Sequence, residues 1–72
     1  MTIKRFTRTF RLQEKAEIDE LKILLDLKKQ RLLDYDDELV KLQSKLGYYY
    51  DIEEVNEFEN HIEVVRYVDQ SL

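Results

Sequence analysis

Apolar residues recur along the middle of the chain at Ile18, Leu21, Leu25, Leu32, Tyr35, Leu39, Leu42 and Leu46. Their steps alternate between three and four, with one gap of seven, the a/d pattern of a helix that packs along a single seam. Lys28 stands at the one d position that lacks an apolar residue. No Gly or Pro interrupts residues 13–46, and good helix formers dominate there. Gly47 supplies a stop, because it enters the left-handed conformation without a Cβ penalty. The pattern predicts one long helix over 13–46, with a turn at 47–50.

A shorter antiparallel helix over 51–69 is predicted to follow. Asp51 is a suitable N-cap, with Glu54 three residues later. Ile52, Val55, Phe58, Ile62 and Val65 then share one helical face. The same stretch admits a strand reading, since 61–68 is rich in β-branched and aromatic residues. Residues 3–10 also admit a short strand: Phe6, Phe10 and Leu12 alternate, and three Thr lie nearby. In that alternative the two ends pair with each other. The leading expectation is all-α: one domain over 1–72 with a basic arm or strand at 1–12, arranged as a helical hairpin.

Lengths argue for assembly. A helix over 13–46 spans about 50 Å and one over 51–69 about 28 Å. The shorter therefore leaves Ile18, Leu21, Leu24 and Leu25 without cover. A 72-residue chain with no Cys has few means of holding a small core. The expectation is a coiled-coil homo-oligomer whose interface is Ile18, Leu21, Leu25, Leu32, Tyr35, Leu39 and Leu42.

Charge adds a polarity that the apolar pattern lacks. Residues 1–12 carry +4, residues 13–50 carry −2 and residues 51–72 carry −6, within a net charge of −4. Arg66 is the only base in the acidic tail. Glu53–Glu57 and Glu59–Glu63 would be like-charged i, i+4 pairs on a helix, mildly destabilising unless a basic partner offsets them.

Little in the composition points to catalysis. There is no Cys, one His, one Gly and no Pro, hence no thiolate site and no Gly-rich phosphate loop. Glu57 and His61 sit at i, i+4 rather than the i, i+3 spacing of bundle di-iron sites. Two acidic clusters, at Asp34, Asp36, Asp37 and Glu38 and at Glu53 to Glu63, lack an accompanying nucleophile–base pair. Neither an enzyme nor a cofactor nor a metal is expected. No apolar run reaches about 18 residues and no apolar leader is visible, so the expected location is the cytoplasm, away from membranes.

The expected function is therefore binding. The leading expectation is a self-associating protein–protein interaction module, engaging a macromolecular partner through an acidic surface. Glu53, Glu54 and Glu57 would carry that surface, with Tyr48 and Tyr49 beside them. Its size and charge suit an inhibitor or regulator of the kind that phages and mobile elements encode. An alternative is a nucleic-acid-binding regulator that uses Lys4, Arg5, Arg8 and Arg11, interleaved with Phe6 and Phe10. A third is a purely structural assembly element.

Overall fold

The computed structural model describes residues 2–32 and 36–70. Strand β1 (Ile3–Phe10) leads through a 3-10 turn (Leu12–Glu14) into helix α1 (Lys15–Lys29). Helix α2 (Asp37–Leu46) follows, then strands β2 (Glu54–Glu57) and β3 (Ile62–Asp69). The strands form one antiparallel sheet in the order β1-β3-β2. The fold is thus α+β, not the all-α helical hairpin that the heptad spacing predicts. No coiled-coil seam is present among the described residues.

The predicted helix over 13–46 is divided. Helix α1 ends in a Schellman turn: Arg31 N–H bonds Lys28 C=O, and Leu32 N–H bonds Leu27 C=O. Arg31 takes the left-handed conformation there, with φ of 60°. Asp36 then caps α2, its carboxylate accepting from the Glu38 N–H at 2.7 Å. Asp37 and Glu38 lie in the first turn of α2, where the helix dipole favours acids. The acidic cluster around residue 36 is therefore the start of a helix rather than its middle. Gly47, with φ of 65°, closes α2 as its sequence position predicts.

The predicted second helix over 51–69 is replaced by β2 and β3. Two physical reasons favour strands. Ile62, Val64, Val65 and Val68 are β-branched and suit a pleated surface. Extension also separates the like-charged glutamates, which a helix would stack on one face. Glu59 and Asn60 form the hairpin turn, closed by the Phe58 N–H to His61 C=O bond. The pairing of the two chain ends, weighed above as an alternative, is the arrangement present. Ile3 faces Asp69 and Phe10 faces Ile62 across the β1–β3 ladder.

Both helices lie on one face of the sheet. Phe10, Ile62 and Val64 meet Ile18, Leu21, Leu25, Leu39, Leu42, Leu46, Tyr48 and Ile52 in one core. Of the seven residues expected at an oligomer interface, Ile18, Leu21, Leu25, Leu39 and Leu42 are buried within this single chain. Leu32 is 69% exposed, and Tyr35 lies outside the described residues. Glu17 and Lys45 tie α1 to α2 at 2.9 Å. On the opposite face, Arg5 stands across from Tyr67 yet bonds Glu63 at 3.1 Å. Val65, which lies on β3 between Tyr67 and Glu63, is fully buried.

Candidate binding site: an arginine–aromatic cleft

Alternation along β1 puts Lys4, Phe6, Arg8 and Phe10 on the helix side of the sheet. The register places Arg66 beside Phe6 and Val64 beside Arg8. Only the Phe10–Ile62 end joins the helix-covered core. At the other end the loop after Gly47 brings Tyr50 over the strands. The Arg66 guanidinium lies 4.0 Å from the Tyr50 ring centre and 4.5 Å from that of Phe6, between two aromatic faces. Each such contact contributes about 0.5–1 kcal/mol where exposed and more where water is excluded.

The rings form a connected series. Phe10 meets Tyr48 edge-on at 6.0 Å, and Tyr48 meets Tyr50 edge-on at 5.6 Å. Tyr48 is buried, and its hydroxyl donates to the Asp51 carbonyl at 2.6 Å. Burial pushes that hydroxyl's pKa up, against the opposing pull of the Arg66 and Arg8 charges. It therefore stays a neutral donor that anchors the loop. Arg8 donates to the Gly47 carbonyl at 2.6 Å, so it closes the negative end of α2. Its guanidinium lies 5.2 Å over Phe10, and Lys4 lies 5.2 Å over Phe6.

Phe6, Thr7, Arg8, Tyr48, Tyr50 and Arg66 enclose a cleft of about 120 Å³. Among the described residues no carboxylate pairs with Arg8 or Arg66. Both rings lie against the Arg66 guanidinium, a group whose N–H donors suit carboxylate or phosphate. The volume falls below the ~300 Å³ at which small-molecule pockets begin. It fits one inserted side chain or one anionic group.

The residues predicted from sequence are scattered rather than assembled. Glu53, Glu54 and Glu57 are exposed, but alternation sends Glu54 and Glu57 to opposite faces of β2. Tyr49 is 60% exposed, whereas Tyr48 is a core residue and not a free contact. The basic set divides too. Lys4 and Arg8 reach the cleft face, Arg5 is held by Glu63 and Arg11 pairs with Glu14. Sequence reasoning missed Tyr50 and Arg66 as site residues. The available signal was Arg66 itself, the lone base in a tail of seven acids.

Among the described residues no group of three or more His, Asp or Glu is placed to hold a metal, and no helix is long and apolar enough to cross a membrane. No family model, no curated protein and no solved structure matches this chain.

Proposed function

We propose that this chain is a small non-catalytic interaction module that engages a protein partner at the arginine–aromatic end of its sheet. The observation that carries the reading is Arg66, set between Phe6 and Tyr50 beside Arg8, with neither arginine paired to a carboxylate among the described residues. Arg, Tyr and Phe are the residue types enriched at the centres of protein interfaces. A rigid guanidinium loses little side-chain freedom on binding, so most of its contact energy is realised. The acidic surface proposed from sequence becomes a rim to this centre, since Glu54 and Glu57 lie on β2 at the far edge of the sheet and Glu53 directly precedes that strand.

Affinity capture with three forms of the protein tests the reading. These are the wild type, an Arg66→Ala/Tyr50→Ala variant, and a Glu53→Lys/Glu54→Lys/Glu57→Lys variant. The expected outcome is a partner recovered by the wild type and the lysine variant and lost by the alanine variant. Retention by the alanine variant with loss by the lysine variant would move the contact to the acidic edge.

A second reading has one observation in its favour. Rings and guanidiniums on one sheet face are how single-stranded nucleic acid is held. The net charge of −4 opposes it. Anisotropy of a fluorescein-labelled oligothymidine at low and high salt separates the two: salt-sensitive binding that Arg66→Ala removes supports nucleic acid.

A further inference from the structure

The outer edge of β1 offers a second recognition element beside the cleft. The Gln70 N–H bonds the Thr2 carbonyl at 2.7 Å, so even-numbered positions of β1 turn their backbone groups toward β3. Ile3, Arg5, Thr7 and Thr9 therefore direct N–H and C=O outward. No described residue bonds to those groups. The strand is eight residues long, carries no Pro, and keeps one register without a bulge. It therefore lacks the shortness, Pro and bulge by which natural edges are usually blunted, and only charge is used.

That charge has one sign. Lys4, Arg5, Arg8 and Arg11 are accompanied by no acid in residues 1–12. Arg5 and Arg11 have partners in Glu63 and Glu14, while Lys4 and Arg8 make no ion pair among the described residues. These two point to the cleft side of the sheet, four residues apart, with Phe6 between them. Cross-strand neighbours stand about 4.5–5.5 Å apart, so a strand laid along β1 presents alternate side chains to Lys4, Phe6 and Arg8 in turn.

Resting on the protein-binding reading above, we infer that β1 accepts an extended acidic peptide as a fourth strand. The favoured sequence has an acid, then an apolar residue two positions on, then a second acid two further on. The acids face Arg8 and Lys4, and the apolar residue faces Phe6 at the mouth of the cleft. Backbone bonds to Ile3, Arg5, Thr7 and Thr9 provide the affinity, and the alternate side chains provide the selectivity. A second copy is disfavoured as occupant of this edge. Two β1 edges would set basic residues against each other. The acidic β2 is only four residues long.

The probe is a fluorescein-labelled peptide of sequence Thr-Glu-Thr-Val-Thr-Glu-Thr, tested beside its Glu-to-Lys counterpart. Anisotropy reports binding, and amide hydrogen exchange of the full chain reports where. The expected result is slowed exchange at Ile3, Arg5, Thr7 and Thr9, with no change at the even positions already bonded to β3. N-methylation of alternate peptide amides should weaken binding roughly tenfold, through lost backbone bonds, without altering the protein. Thr7→Pro should act the same way, since its N–H serves only the outer edge. Equal binding of the lysine peptide, or binding without new protection on β1, overturns the inference. So does a concentration-dependent mass increase that Thr7→Pro removes, which assigns the edge to a second copy. Partner capture that needs Arg66 while the odd amides stay unprotected sinks strand addition alone. Capture that ignores Arg66 sinks the module reading itself.

Discussion

The helix side of the sheet has two halves, closed by different means. Over Phe10, Ile62 and Val64 the helices supply aliphatic cover and exclude water. Over Phe6 and Arg66 a loop supplies Tyr50, and the closure is a guanidinium between rings. The first half is non-directional packing, which stabilises in proportion to the area removed from water. The second is a directional contact between a cation and aromatic rings. On the proposed function, stability and recognition fall at opposite ends of the same two strands.

Substitutions should separate the two ends. Leu21→Ala removes a fully buried side chain from the helix-covered half and should cost about 2–5 kcal/mol, read by urea denaturation. For a chain of this size that approaches the whole stability. Gly47→Ala strikes the joint between the halves. Its left-handed φ, rather than lack of space, sets a cost of about 1–2 kcal/mol, since a Cβ would meet only Arg8 Nη2, at an ordinary 3.5 Å. Arg66→Ala should lower stability by only about 1 kcal/mol while removing partner binding. A large loss of stability there would merge the halves and refute the division. Arg31→Gly should raise stability by up to about 1 kcal/mol, by relieving the left-handed residue that ends α1, and leave binding untouched.

The smallest effect concerns pH. The Lys45 hydrogen bond holds the Glu17 carboxyl below the usual carboxylate range, and Glu17 in turn raises the Lys45 pKa. The Glu17 contribution is complete above the ordinary carboxylate pKa and is lost as pH falls through its depressed value. The Lys45 contribution is complete below the ordinary lysine pKa and is lost as pH rises through its raised value. Lys45→Met should flatten the stability profile at both extremes, measured by melting temperature against pH, and leave the cleft unchanged.

Two helix ends explain much of what the sequence disclosed. Both α1 and α2 stop on a left-handed residue. At α2 that residue is Gly47, and the stop is legible. At α1 it is Arg31, a type with no preference for that conformation, so the heptad spacing runs through it unbroken. The vacant d position at Lys28 and the exposed Leu32 mark the failure of the seam. Asp36, with Asp37 and Glu38 behind it, was a readable cap that the longer period concealed. Five residues expected at an oligomer interface are buried within the single chain instead, because Ile18, Leu21, Leu25, Leu39 and Leu42 need apolar cover in either architecture. The cleft was not legible, since Phe6 and Arg66 lie sixty residues apart and meet only through the sheet register. The acidic tail misled through Ile52, Val55, Ile62 and Val65, whose helical spacing is met instead by a loop residue and two strands, with Ile62 and Val65 buried on opposite faces of β3.

The strand order has a consequence for synthesis. Of the described elements, β1 is synthesised first and β3, its one neighbour in the sheet, last. The two helices and their caps are local and can form while the chain grows. Throughout that interval β1 has two open edges instead of one. Its lysine and arginines then act on the nascent chain, keeping an unpaired strand from joining others of its kind until β3 emerges and the sheet closes around its centre.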